Sequence, residues 1–356
     1  MKAALIGAGF MGAVHSRALR AAGVEIAGVL ASSKERSSAA ALELGVGRGY
    51  QDLADLLADS TVDVVHILTP NRSHFELVTK SLDAGKHVVC EKPLTVVLSE
   101  AITLEEKARK LGLVNAIPYI YRYHSMAREL RHQVTNEQLG GLLSVRGEYL
   151  QDWLLNQSDS NWRVDSNQGG PSRVFADIGV HLCDLLEFVA GSRITSLIAK
   201  MKIAYPERSG NRVETEDIVS VIAELEGGAT VNLMVSQVAA GYKNGLVLEI
   251  HGSKLSGRFE QENPNHLWFG SAKGNTKQAR DPQLLAPDAA RVTRLPAGHP
   301  EGYFDAFTSF MLDVKAKVAG GNPPGFPSFA DGVRSAKIID AVLRSSKSNE
   351  WVSVDN

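Results

Sequence analysis

The stretch KAALIGAGFMG, Lys2 to Gly12, decides the fold. Five residues of buried-strand character, Lys2–Ile6, run directly into a Gly7-x-Gly9-x-x-Gly12 loop. An amphipathic helical pattern then runs to about Ala22 and is closed by Gly23. The three glycines meet three backbone demands. Gly7 permits the tight turn, Gly9 lets a diphosphate approach the backbone, and Gly12 lets the helix pack on the strand. The helix N-terminus, with its unsatisfied N–H groups and positive dipole end, then faces that diphosphate. This pattern predicts a dinucleotide-binding unit.

Outward from that loop, strand and helix patterns alternate. Strands are expected at 24–30, 62–68 (VDVVHIL), 87–91 and 113–117, with helices at Lys34–Leu44, 73–84 and 99–111 between them. Strands separated by helices of 10–15 residues mean βαβ units and a parallel sheet. After about residue 122 strands follow strands, at 142–149, 194–203, 217–225, 229–238, 246–251 and 254–260. Glu226-Gly227-Gly228 and Gly252-Ser253 are turn signals between neighbours. Residues 261–299 are rich in Gly, Pro, Ala and Asn without periodicity and are expected to form a long loop or arm. After Pro300, Phe304, Phe307, Met311, Val314 and Val318 form a core stripe at helical spacing. The expected architecture is therefore α/β followed by α+β. Residues 1–122 form a Rossmann dinucleotide-binding domain, and 123–356 form an open, mostly antiparallel sheet domain for substrate binding and oligomerisation.

Composition narrows the function. The 356 residues carry 38 Lys and Arg against 40 Asp and Glu, a net charge of −2. Without a basic excess, nucleic acid is not an expected partner. The two cysteines, Cys90 and Cys183, lie in apolar runs and read as buried thiols of a reducing compartment. No apolar run approaches the roughly 18 residues of a membrane span, and the N-terminus lacks a signal-peptide pattern. A cytoplasmic location without membrane contact is expected.

Three features carry chemistry. First, the acidic residue that normally binds the adenosine ribose, about 20 residues past the glycines, is replaced by Ala31, followed by Ser32, Ser33, Lys34 and Arg36. Two hydroxyls and two cations at this edge favour a 2′-phosphate, so NADP is slightly favoured over NAD. Second, Glu91-Lys92-Pro93 ends a parallel strand at the edge where open α/β sheets bind ligands. Third, Asp177 and His181 are four residues apart and share one helix face, with Asp184 on the same stripe. Ile178, Leu182, Leu185 and Val189 form another stripe about 100° away. A carboxylate one turn from an imidazole can orient it and tune its basicity. No third ligand follows at metal-site spacing, so no metal is expected.

With GAGFMG, TPNRSH (Thr69 to His74), CEKP (Cys90 to Pro93) and the Asp177/His181 helix in this order, the chain resembles the Gfo/Idh/MocA oxidoreductases over nearly its whole length. Trp162-Arg163, Gly169-Gly170 and the run His299 to Tyr303 (HPEGY) are also similar to members acting on sugars and polyols. The resemblance implies Lys92, Asp177 and His181 as catalytic residues. It assigns the cofactor to Gly7, Gly9, Phe10, Met11, Gly12, Thr69, Pro70, Asn71 and His74, with Glu91 and Lys92 beside the nicotinamide. Tyr121-Arg122 and Trp162-Arg163 match positions lining the nicotinamide or substrate end. The substrate set is then Lys92, Tyr121, Arg163, Asp177 and His181.

The expected activity is NAD(P)-dependent hydride transfer to or from a secondary alcohol of a sugar or polyol, such as an inositol, a pyranose or a keto-glycoside. The alternatives are redox-assisted glycoside cleavage or epimerisation with a retained NAD, and a non-catalytic NADP-binding regulator. Leftover sheet surface in the second domain predicts a homodimer or homotetramer.

Overall fold

β1 (Lys2–Ile6) is buried from Ala3 onward, as a strand covered on both faces must be. The computed structural model describes residues 1–355. It places β1 beside β2 (Glu25–Leu30) on one side and β3 (Val64–Ile67) on the other, all parallel. β4 (His87–Cys90) and β5 (Asn115–Ala116) extend the sheet to the order β2-β1-β3-β4-β5. The chain thus leaves β1 in one direction and returns on its other side. At that reversal the carboxyl ends of β1 and β3 open a crevice, the usual ligand position of such sheets. The intervening helices are α1 (Phe10–Ala21), α2 (Lys34–Leu44), α3 (Leu53–Ala58), α4 (His74–Asp83) and α5 (Leu98–Leu111). α3 was not expected. Its six residues are too few to show a period, and its start is fixed by Asp52, whose carboxylate accepts the Asp55 N–H at 2.8 Å.

The chain divides into two units, and residues 303–333 fall with the first rather than with the expected span 123–356. Unit one comprises Met1–Ile120 and Tyr303–Val333, and unit two comprises Tyr121–Gly302 and Arg334–Asn356. The helix Tyr303–Val318 belongs to the first unit because its apolar stripe closes on α1. Phe307 packs on the His15 ring at 5.3 Å between centroids, and Lys315 Nζ caps the α1 end through the Ala22 and Gly23 carbonyls. The Ile117 N–H donates to Pro327 O, and the Phe329 N–H to Asn115 Oδ1. Phe304, expected in the core, is exposed beneath the Arg17 guanidinium.

In the second unit a nine-stranded sheet is built from β6 (Leu142–Leu150), β7 (Ile194–Lys202), β10 (Ile218–Leu225), β11 (Thr230–Ser236), β12 (Gly245–Gly252), β13 (Ser256–Glu260), β14 (His266–Ser271), β15 (Gly274–Ala279) and β16 (Val352–Ser353). A small hairpin, β8 (Glu207–Arg208) with β9 (Asn211–Arg212), stands apart from it. The order is β15-β14-β13-β12-β6-β11-β10-β7-β16, antiparallel except for β6 beside β11. Alternation sorts the faces. Val219, Val221, Ala223, Val231, Leu233 and Val235 are buried, while Ile222 and Met234 are exposed on the other side. Helices α6 (Ser125–Thr135) and α8 (Val180–Ala190) contact this sheet, and the single turn α7 (Ser166–Gly169) lies between them in the chain. No helix among the described residues is long and apolar enough to cross a membrane.

Residues 261–299 depart from the expected arm, since they hold β14, β15 and α9 (Pro287–Arg291). β15, GNTKQA, is an almost fully exposed edge strand with a single apolar residue, so no alternation betrays it.

Arg173, Arg208 and Asp217 are buried together, with both guanidinium groups on Asp217 Oδ1. Burial pushes the Asp217 carboxyl up, but Arg173, the Ala204 N–H and Arg208 outweigh it and hold it below the usual carboxylate range. Its stabilisation is therefore present above that range and lost as pH falls through the depressed folded value. Asp217→Ala leaves two buried cations without their counter-charge and should cost about 3–5 kcal/mol. Melting temperature against pH should show a large drop at pH 7 that narrows toward acid. An unchanged melting point at pH 7 would show the cluster to be inert.

Candidate active site

Gly7 adopts φ +113°, and a Cβ there would lie 2.8 Å from Leu68 O. A Cβ on Gly12 would meet Gly7 O at 2.8 Å, so helix and turn touch backbone to backbone. Gly9 caps α1 in an extended conformation, with open space where a side chain would stand. The first turn of α1 has no acidic residue, and Phe10 lies exposed beside the loop. The open space at Gly9 and an uncapped helix start suit a diphosphate, so these residues fit a dinucleotide.

At the end of β3, Thr69 Oγ1 and Ser73 Oγ lie 2.7 Å apart, and Ser73 Oγ donates to Pro70 O, fixing a short turn at Asn71–Ser73. His74, expected at the cofactor, is fully buried, with its ring nitrogens 2.9 Å from Thr69 O and from Pro93 O. It joins the loop after β3 to the loop after β4. Burial lowers its pKa against the pull of those carbonyls and of Glu91. A neutral ring donates to one carbonyl at a time.

Glu91 is tied on both carboxylate oxygens. Oε1 lies 3.1 Å from His15 Nε2, and Oε2 accepts the Lys92 N–H at 3.2 Å. His15 Nδ1 in turn meets His66 Nδ1 at 3.0 Å, and burial, then His15, pushes the pKa of His66 well down. Lys92, at the carboxyl end of β4, thus stands on a buried Glu–His–His chain. Sequence reading saw none of this support, because His15 and His66 occupy helix and strand positions that look like ordinary core.

At the ribose edge, Ser33 caps α2, and Arg36 donates to Ser32 Oγ at 3.1 Å. Sequence reading passed over Glu35. Its carboxylate lies in the first turn of α2, held below its usual range by its own backbone N–H and the Ser33 hydroxyl. One carboxylate therefore accompanies the two cations here.

In the second unit the expected helix at 177 opens as a π-turn, Phe175–Gly179, before α8. Such turns interrupt α-helices frequently at functional sites. Asp177 sits in it, with Oδ2 accepting from Gln237 Nε2 at 2.8 Å and Oδ1 3.3 Å from Arg163 Nε. Arg163 leans over the Trp162 ring at 4.4 Å. A Cβ on Gly169 would strike Arg163 O at 2.7 Å, so Gly169 permits that turn. His181 is 8% exposed, and the Tyr121 ring meets it edge-on at 5.1 Å. Tyr121 OH contacts Tyr149 OH at 2.5 Å and accepts from Asn244 Nδ2 at 3.3 Å. Burial pushes its phenol pKa up. Asp184 leaves the expected stripe for a buried pair with Arg122, because the π-turn and α8 direct it inward. Gln237, Tyr149 and Asn244 were not foreseen. A Gln at the end of an apolar strand was the one available hint.

Cys90 and Cys183 are buried, and burial raises both thiol pKa values. Among the described residues no group of three or more His, Cys, Asp or Glu could hold a metal ion.

Residues 1–119 match the model of the oxidoreductase family with an NAD-binding Rossmann fold, and 127–258 match that of the GFO/IDH/MocA C-terminal domain. Glucose-6-phosphate 3-dehydrogenase of Bacillus subtilis (strain 168) is 26% identical over 356 residues, covering 99% of this chain and 98% of its own. Levoglucosan dehydrogenase of Pseudarthrobacter phenanthrenivorans is 28% identical over 384 residues, covering 98% and 97%. A solved levoglucosan dehydrogenase in complex with NADH and levoglucosan superposes with a TM-score of 0.93 at 27% identity, over 100% and 99% of the two chains. An oxidoreductase domain protein from Kribbella flavida gives 0.92 at 32% identity, over 99% of each. The chain belongs to the Gfo/Idh/MocA oxidoreductase family, and its first unit is an NAD-binding Rossmann domain.

Gly12→Val forces α1 away from the turn. It should raise the NADH dissociation constant by about tenfold or more, read by nucleotide fluorescence, with the far-UV circular dichroism unchanged. Wild-type affinity in this variant would remove the loop from the cofactor site.

Proposed function

We propose that this protein oxidises a secondary alcohol of a sugar or polyol, or reduces the corresponding ketone, with NAD(H). The observation that carries the reading is Asp177. Its carboxylate is fixed by Gln237 and Arg163 in a π-turn that leads directly into His181. Family membership and the dehydrogenase names of its relatives support it.

Bound NAD supplies the hydride acceptor at its nicotinamide. His181 takes the proton of the reacting hydroxyl at an imidazole nitrogen, and Asp177 orients that ring and stabilises its protonated form. The Lys92 ammonium stabilises the developing alkoxide by charge and hydrogen bond. Tyr121 packs on the imidazole edge and keeps its plane fixed. Gln237 and Arg163 act as positioning residues that hold the Asp177 carboxylate. In the reverse direction His181 protonates the nascent alcohol. Such acid–base assistance is worth about 10²–10⁴-fold.

Lys92→Met and His181→Ala should each lower kcat by about 10² or more with NADH affinity near wild type. Steady-state turnover on a panel of inositols, pyranoses and anhydro-sugars, beside NADH titration, checks this. Near-normal turnover in either variant would overturn the assignment.

The ribose edge supports NAD as the working cofactor. Ala31 removes one carboxylate, but Glu35 supplies another, and Arg36 is bonded to Ser32. kcat/KM for NAD should exceed that for NADP, and Ala31→Asp should widen the ratio. A wild-type preference for NADP would show that Arg36 turns toward a 2′-phosphate. The exposed sheet face bearing Ile222 and Met234 supports a homodimer or homotetramer. Sedimentation at micromolar concentration should give a multiple of 38.4 kDa, and a monomer mass would refute that.

A further inference from the structure

The segment after β13 and the loop before residue 303 enclose a pocket of about 780 Å³ in the second unit, with Asn244, Gln261, Glu262, Arg280 and His299 in its wall. That volume is in the range of small-molecule sites. Gln261 is 8% exposed, and its Oε1 is buried without a hydrogen-bond partner. Its backbone is pinned, the N–H donating to Leu246 O at 2.9 Å, so the side chain is held in the pocket wall. A buried amide oxygen left unpaired is costly, and a donor brought by a ligand offsets that cost.

We propose that this pocket is a carbohydrate subsite. It holds a second, neutral, hydroxyl-bearing ring of the substrate while the first is oxidised at His181. The inference rests on the dehydrogenase reading and extends it from a sugar to a glycoside of two rings. Two further observations support it. Asn244 belongs both to the pocket and to the polar chain that ends at His181. Its Oδ1 accepts from Tyr149 OH at 2.6 Å, and its Nδ2 donates to Tyr121 OH, whose ring packs on the imidazole. The wall is also rigidly built. Arg280, 4% exposed, donates to Leu295 O at 2.7 Å, to Pro296 O at 3.0 Å and to His299 O. Asn265 Nδ2 holds Glu301 O at 2.9 Å. This scaffold presents the exposed His299 at the rim.

The chemistry of the wall selects the ligand. The Arg280 donors are spent on carbonyls and on Asn265 Oδ1, and Glu301 lies 3.6 Å from its Nη1. No cation is left there for a phosphate, and Glu262 would repel one. Amides, a carboxylate and an imidazole accept hydroxyl protons instead.

Isothermal titration of the NAD⁺-loaded enzyme compares methyl glucosides with cellobiose, maltose, gentiobiose and sucrose. At least one disaccharide should bind about tenfold or more tighter than its methyl glucoside. Gln261→Leu should abolish that advantage and leave methyl glucoside affinity unchanged. His299→Ala, at an exposed position, should reduce the advantage. No disaccharide advantage in wild type, or an advantage intact in both variants, would overturn the subsite. NADH formation is followed in parallel. If no sugar reduces NAD⁺, the dehydrogenase reading fails, while the calorimetric difference still decides the subsite.

Discussion

Two guanidinium groups shielded from water, Arg173 and Arg208, are tolerable only because Asp217 lies between them. Buried charges demand such pairing, and the second unit is arranged around meeting that demand. Arg208 brings the β8–β9 hairpin onto the Leu154 and Asn156 carbonyls. Arg173 stands two residues before the π-turn, while its Nη1 reaches Gln237 Oε1 at 3.5 Å. Gln237 Nε2 then donates a hydrogen bond to Asp177 Oδ2. The neighbouring Glu216 carboxylate anchors the same turn through Ser172 Oγ and the Arg173 and Phe175 N–H groups. Burial pushes the Glu216 pKa up against these donors. The orientation of a carboxylate at the site thus rests on electrostatics some residues away from it.

The first unit solves a similar problem with buried imidazoles. Lys92 must be held at a strand end while two loops stay in register. His74 ties those loops together by their carbonyls, and Glu91 is gripped by His15 from α1. The three histidines involved never face solvent. Their depth lowers the pKa of His66 and His74, which keeps a positive charge out of the sheet interior.

How much of this was legible in the sequence depends on range. The parallel sheet was, because Lys2–Ile6 and residues 62–68 are mostly apolar and a glycine closes each of the four expected helices, at Gly23, Gly45, Gly85 and Gly112. The glycine loop was too, since three backbone demands fall on three fixed positions. Asp177 and His181 were visible as a pair, but not the π-turn that carries Asp177 and leads into His181. That turn depends on Phe175 folding over Gly179, where a Cβ would lie 2.5 Å from the ring. The roles of Gln237 and Asn244 were not legible because their partners, Asp177 for the first and Tyr149 and Tyr121 for the second, lie tens of residues away. β15 was missed because an exposed edge strand needs no apolar face. The return of Tyr303–Val333 to the first unit was missed because an apolar stripe shows that a helix is buried, and not against what.

That return governs the order in which the chain can complete itself on the ribosome. Domains are normally finished from the N-terminus as they emerge. Here the α1 face carrying His15 waits for Phe307, and the Asn115 side chain for the Phe329 amide. The nucleotide-binding unit is therefore not closed until more than nine-tenths of the polypeptide has been made. Until then that helix surface stays uncovered, and loop-closure entropy opposes its completion. A fragment cut after Ile120 would keep every glycine of the phosphate loop and still lack the cover that makes it a stable fold.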